Sequence, residues 1–228
     1  MFLRERSTQA ESFDSQSRPV AEIAAGYRQL ARANRAFFFS HPFVLSLPRL
    51  LGAEQCRSLT LLDVGAGNGM LGHRLEAWAA KRGWCWEVTN LDANPHALQL
   101  NLGGRNVTGS ALALPFPDAH FDVVVASQMT HHLTDAEGVT HFREAWRVAR
   151  RAMVVSDLHR NPLLFALVWL GSWPLRFSPV MRMDAIISVQ RGFRLGEWRR
   201  QAEQAGIPSA QVWLYAATRI MLAAKKPA

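Results

Sequence analysis

Residues 61–71, Leu-Leu-Asp-Val-Gly-Ala-Gly-Asn-Gly-Met-Leu, constrain this chain more than any other stretch. A short apolar run stops at three alternating glycines and an apolar segment follows, the pattern of a buried parallel strand, a tight turn and a helix start. Gly65, Gly67 and Gly69 have no Cβ, so the backbone there can take positive φ and a ligand can approach the main chain closely. N–H groups left free at the new helix N-terminus face the same space and favour an anionic or acceptor-rich ligand. Such a turn cradles a nucleotide-type cofactor.

Glycine spacing leaves two cofactor classes open. Counted from Gly65 the pattern is G-x-G-x-G, with Asp63 in the strand just before it; counted from Gly67, Gly67, Gly69 and Gly72 fit the dinucleotide fingerprint G-x-G-x-x-G. About one βα unit further on, a strand over residues 84–91 ends in Asp92, with Ala93, Asn94 and Pro95 opening a helix. A carboxylate at that strand end can accept hydrogen bonds from both hydroxyls of a ribose, and its alternative role is a helix N-cap.

Residues 109–118 read Gly-Ser-Ala-Leu-Ala-Leu-Pro-Phe-Pro-Asp, and residues 121–127 read Phe-Asp-Val-Val-Val-Ala-Ser. Together with D-V-G-A-G-N-G, their order and spacing resemble class I S-adenosylmethionine-dependent methyltransferases of the small-molecule type, from quinone biosynthesis and natural-product chemistry. Those enzymes typically show G-D-A, L-P-F-x-D and F-D-V-V in this order. The resemblance covers residues 61–157 and extends more weakly to the C-terminus. It implies an α/β fold, a doubly wound, mostly parallel seven-stranded sheet of the Rossmann-like methyltransferase type, with S-adenosylmethionine as methyl donor. The methionine end is expected near Gly65, Ala66 and Gly67, and the adenine near Ser110, Ala111 and Leu112. Asp63, Asn68, Gly69, Asp92, Ala93, Ser127 and Gln128 complete the expected cofactor set. Where this family commonly has Asp the chain has Ser110, whose neutral hydroxyl accepts a hydrogen bond less strongly than a carboxylate.

The acceptor side rests on histidines. His131 and His132 follow the fourth strand, at the carboxyl end where open α/β sheets place ligands. One of them, His131 first, could act as general base toward a hydroxyl, the ordinary imidazole pKa of about 6.5 suiting neutral pH. His132 alternatively bonds locally to fix the loop. His159, beside Arg160 at the next strand end, is a further catalytic candidate. Partners at metal-ligand spacing are not evident, so no metal is expected.

At 228 residues, with 49% hydrophobic and 19% charged, the chain suits one globular α/β domain. Its two cysteines, Cys56 and Cys85, make no ligand set or disulfide framework, and a reducing, cytoplasmic setting is expected. The net charge of +8 comes mostly from scattered arginines such as Arg147, Arg150 and Arg199, read as solvated faces. Nucleic acid is not an expected partner: Ser127-Gln128-Met129-Thr130 stands where enzymes that methylate exocyclic base amines carry D-P-P-Y or N-P-P-Y.

Residues 1–17 read as a flexible polar arm, and helical patterns over 20–38 and 42–51 complete an N-terminal helical cover spanning 1–52, ahead of a cofactor domain over 53–228. The apolar run at 163–175 falls short of the roughly 20 residues that cross a bilayer. It reads as an insertion, around 162–183, that walls a hydrophobic pocket, with Trp169 against the acceptor, or as an interfacial helix making peripheral membrane contact. Two final strands, over 211–215 and 218–222, form a hairpin through Ala216-Ala217.

The expected function is methyl transfer to a small, largely apolar acceptor, as O-methylation of a phenolic or hydroxylated metabolite, in secondary metabolism. Aligning donor and acceptor is the protein's main task, an effect of up to roughly 7–11 kcal/mol. The alternatives are C-methylation of a quinone-type precursor, a nicotinamide-dependent oxidoreductase, and a non-catalytic S-adenosylmethionine-binding protein.

Overall fold

The computed structural model describes residues 3–14, 18–101 and 103–227. Valine- and leucine-rich runs that are apolar on both faces belong in the middle of a covered parallel sheet. Accordingly β1 (Ser58–Val64) and β4 (Phe121–Ser127) lie side by side at its centre, nearly all their residues buried. With β2 (Cys85–Asp92), β3 (Arg105–Thr108), β5 (Ala149–Leu158), β6 (Gln211–Tyr215) and β7 (Arg219–Lys225), the order is β3-β2-β1-β4-β5-β7-β6. β1 to β5 are mutually parallel, and β7 runs antiparallel to both β5 and β6. Ala216 and Ala217 turn that last hairpin with φ of 48° and 57°, the left-handed pair that a tight two-residue connection requires.

Strand order reverses between β1 and β4, so the chain leaves a crevice beyond their carboxyl ends. On one side of the sheet α5 (Asp135–Val148) and α8 (Leu195–Gln204) bury Phe142, Ala145 and Trp198 against Leu62, Val124 and Val155. α5 starts at a capping box: the Thr134 side chain accepts from the Glu137 N–H while Glu137 accepts from the Thr134 N–H. On the other side α2 (His41–Leu51) and α3 (Met70–Ala80) bury Phe43, Leu47 and Leu75 against Leu61, Val123 and Val154.

Two segments over the crevice lie outside this layering. α1 (Val20–Ala36) crosses above the glycine turn, and α6 (Pro162–Gly171) and α7 (Pro179–Arg191) follow β5. Asn161 and Ser178 cap the latter two, accepting from Leu164 N–H at 2.8 Å and Met181 N–H at 3.2 Å, each with proline in the first turn. The apolar run therefore opens a helical pair that extends to Arg191, beyond the insertion expected from sequence.

The expected flexible arm is a correction. Residues 3–14 are packed: Leu3 and Glu11 are buried, Arg6 lies 3.6 Å over the Phe193 ring, and the buried Asp184 carboxylate accepts from Ser12 and Phe13 N–H. A buried carboxylate with three such donors, counting the Ser12 hydroxyl, ties the segment down in a way polarity alone does not reveal. Residues 1, 2 and 15–17 of that expected arm lie outside the described residues. Among the described residues no helix is long and apolar enough to cross a membrane.

Candidate active site

Gly65, Gly67 and Gly69 take φ of 70°, 57° and 71°, conformations that side chains resist. Space forbids a side chain as well: a Cβ on Gly65 would sit 2.6 Å from the Met129 Cβ, and one on Gly67 would sit 2.5 Å from the Tyr27 hydroxyl. The turn is pinned by Asp92, whose Oδ2 accepts from Gly67 N–H at 2.7 Å while Oδ1 accepts from Asn94 N–H at 2.8 Å. The N-cap alternative for Asp92 falls to Asn94, which opens the short α4 (Pro95–Leu98) and whose Oδ1 takes the His96 and Ala97 N–H groups.

Asp63 is 1% exposed and its Oδ2 has no hydrogen-bond partner. Burial, reinforced by Asp92, pushes its pKa up to about 8. A carboxylate held this far out of water is stabilised by a cation placed beside it. Ser127 Oγ is likewise buried without a partner, and the next residue, Gln128, takes the left-handed φ of 55°. Non-glycine residues in that region cluster where a site demands them.

A cavity of about 550 Å³ joins these groups to the histidines. Asp63, Gly65, Ala66, Gly67, Asn68, Asp92, Ala93, Ser110, Ala111, Leu112, Ser127 and Gln128 line it. Gly69 does not: it caps α3. Ser110 Oγ accepts from Leu112 N–H at 3.1 Å.

His131, also in the lining, is 3% exposed and held between two carboxylates. Its Nδ1 lies 2.7 Å from Asp157 Oδ1 and its Nε2 lies 3.5 Å from Glu11 Oε1. Asp157 also accepts the backbone N–H of His131 at 2.8 Å and of Leu158 at 2.7 Å, which fixes it as the ring's anchor. Burial by itself would lower the His131 pKa, but Asp157 and Glu11 outweigh it and raise it to about 10. The ordinary value near neutrality expected from sequence is thus not what this environment sets, because sequence does not show two buried carboxylates converging on one ring. Burial would raise the Asp157 and Glu11 pKa values, and the facing imidazole lowers both.

His132 also lines the cavity, its ring centroid 4.2 Å from that of His131. Glu11, His131 and His132 present ligand-type atoms all within 4.8 Å of one another, a grouping that spacing along the chain conceals. His159 is not brought to the cavity. Its Nδ1 sits 2.7 Å from Asn161 Nδ2 beside the β6–β7 turn, and its neighbour Arg160 is a buried tie to Glu197 and the Leu3 and Gly192 carbonyls.

The cavity roof comes from the N-terminal cover and from the insertion expected to wall a pocket. Tyr27, Leu30 and Asn34 of α1, and Leu164, Leu167 and Val168 of α6, line it, as does Arg219 of β7. Trp169 is a correction: it is 50% exposed and points away from the lining. It stands one residue past Val168 on the helix, so a different face of α6 carries it outward.

Residues 62–154 match a family described as "Methyltransferase domain". The chain is 34% identical over 133 residues to a ubiquinone biosynthesis O-methyltransferase of Cereibacter sphaeroides, covering 53% of this chain and 50% of that protein. It is 34% identical over 115 residues to a demethylmenaquinone methyltransferase of Roseiflexus sp., covering 47% of each. The chain thus spans about half the length of these curated relatives. A SAM-dependent methyltransferase from Aquifex aeolicus shares its fold, with a TM-score of 0.62 at 16% identity, covering 92% of this chain and 99% of that one.

Proposed function

We propose that this chain, which carries a class I S-adenosylmethionine-dependent methyltransferase domain of the small-molecule type, methylates a hydroxyl oxygen of a small, largely apolar acceptor. The observation that carries the reading is one continuous cavity lined both by the glycine cradle and by His131 and Glu11, with Asp157 holding the ring from behind. The cradle fits the cofactor. Asp92 stands where ribose hydroxyls would be held, Asp63 offers a buried carboxylate, and Ser127 Oγ is a buried hydroxyl with no partner in the protein. When bound, S-adenosylmethionine supplies an electrophilic methyl group on a sulfonium.

The chain's own part is positioning and proton handling. A roof of Leu30, Leu164, Leu167 and Val168 excludes water from the acceptor. His131, its ring fixed by Asp157, takes the hydroxyl proton. With its pKa raised to about 10 the ring is charged at neutral pH, so it takes the proton only in its neutral form, whose share rises with pH toward about 10. In that form the imidazole is as basic as a phenolate, whose conjugate acid has a pKa of about 10. Acceptors related to quinone precursors fit an apolar roof over a polar floor. Calorimetry with S-adenosylmethionine, S-adenosylhomocysteine and NAD, followed by turnover on a panel of phenols and quinols, tests the reading. Binding of NAD alone would return it to an oxidoreductase, and methylation at carbon would replace the oxygen assignment.

A second reading is favoured by the Glu11, His131 and His132 grouping, whose one carboxylate and two imidazoles suit a transition dication. A cation there would compete with the proton on His131. Activity that survives a strong chelator keeps the proton, and activity lost to the chelator and restored by zinc or manganese installs the metal.

The outer surface suggests where the acceptor comes from. Phe38, Leu163, Trp169, Leu170, Trp173 and Met183 are half exposed or more, all on the cover and the α6–α7 pair. Tryptophans on an apolar face suit peripheral contact with a lipid interface.

A further inference from the structure

Arg219 opens β7, paired with Leu158 at the end of β5, and lines the cavity while only 6% exposed. Its Nη1 donates to the Phe39 carbonyl at 3.0 Å, and no carboxylate of the described residues lies within ion-pair distance of its guanidinium. Arg160 shows the contrast: equally buried, it pairs with Glu197 at 2.7 Å and donates to two carbonyls besides. Asp157, one residue before Leu158, acts on Arg219 only at a distance, since Oδ1 takes the His131 ring and Leu158 N–H and Oδ2 takes the His131 N–H. A buried guanidinium without a counter-charge is costly, and the cost is recovered when an anion meets it. Burial, opposed by Asp157 and Tyr215, lowers its pKa to about 10, as expected of a desolvated cation.

We propose that Arg219 is the anion-binding element of the acceptor site, and that the acceptor is a small, apolar hydroxy acid whose carboxylate meets Arg219 while its hydroxyl faces His131. The substrate class rests on the methyl-transfer reading above; the anion site does not. A carboxylate is favoured over a phosphate because one planar fork satisfies it, whereas the wall offers no second guanidinium among the described lining residues. The cofactor's own carboxylate is the rival occupant. The cradle lies beyond β1 and β4, however, and β7 stands two strands past β4, roughly 10 Å away at ordinary strand spacing.

The test uses the full chain loaded with S-adenosylhomocysteine and two matched pairs, salicylate against salicylamide and 4-hydroxybenzoate against 4-hydroxybenzamide, measured by calorimetry. At least one acid is expected to bind about 10- to 100-fold more tightly than its amide. That preference should shrink to under about threefold in Arg219→Gln, survive in part in Arg219→Lys, and leave the S-adenosylhomocysteine affinity unchanged. If Arg219→Gln does not fold, the acid should still raise the wild-type Tm more than its amide does. Equal binding of acid and amide, no binding of any of the four, or a preference that survives Arg219→Gln overturns the proposal. So does a large loss of S-adenosylhomocysteine affinity in Arg219→Gln, which gives the guanidinium to the cofactor. A chain that prefers the acids but does not bind S-adenosylhomocysteine removes the methyltransferase reading and leaves the anion site standing.

Discussion

Glu11 Oε1 lies 3.5 Å from His131 Nε2, so a residue of the N-terminal arm meets, across 120 positions of sequence, the ring that Asp157 holds from behind. The arm and the histidine loop are therefore one structural unit. Arg6 and Arg191 strengthen it by donating to the His131 carbonyl at 3.3 and 3.1 Å.

If His131 takes the acceptor's proton, His131→Ala lowers the turnover rate by roughly 10²- to 10⁴-fold with little change in S-adenosylmethionine affinity. Asp157→Asn keeps the shape but loses the charge that favours the imidazolium, so the His131 pKa falls and the rise of rate with pH should move to lower pH. Stopped assays at saturating acceptor decide it. A His131→Ala enzyme running near the wild-type rate would return the ring to a structural role.

Asp92 supports the turn and, on the proposed reading, the ligand. Asp92→Ala removes the acceptor of the Gly67 and Asn94 N–H groups and should weaken S-adenosylmethionine binding by about 1.5–3 kcal/mol. Gly67→Val collides with Tyr27 and demands a positive φ, so binding should be abolished. Calorimetry on folded variants checks both, and an unchanged dissociation constant in either sinks the cradle.

These residues show how far sequence carries. The glycine turn, Asp92 and the adenine-side run are local patterns, each imposed by a strand end and its following turn, and they line the cavity as expected, Gly69 excepted. Glu11, Tyr27 and Arg219 carry no such local signature. Each reaches the site from an element whose position depends on tertiary packing: an arm tied to Asp184, a helix laid over the crevice, and the first residue of an antiparallel strand. His159 misled for the same reason. It stands near a strand end, but the hairpin turn beside it takes its ring away from the cavity.

Trp169 and Trp173, 50% and 61% exposed, should act on a surface and not on the acceptor. Replacing both by alanine is expected to reduce binding to anionic liposomes in a flotation assay while leaving turnover of a water-soluble acceptor near wild type. A raised Michaelis constant with unchanged liposome binding would place the indoles back over the cavity.

Stability should carry a pH signature from His141, which lies on α5 and does not line the cavity. The ring is fully buried, and burial, only partly opposed by the Ala111 backbone and by Asp157, lowers its pKa to about 4. The folded state therefore keeps His141 neutral while the unfolded chain takes up a proton near pH 6.5. Below that value the unfolded state binds more protons, so the stability that neutral His141 provides is fully present above about pH 6.5. It is lost as pH falls toward about 4. Between about pH 7 and 5 the loss should approach about 2 kcal/mol, read as a drop in denaturation midpoint with an unchanged slope. His141→Leu keeps the apolar contacts with no group to titrate, so its midpoint should fall by much less over the same interval. Equal losses in the two proteins would show that other groups govern the acid limb and that His141 does not titrate as its burial implies.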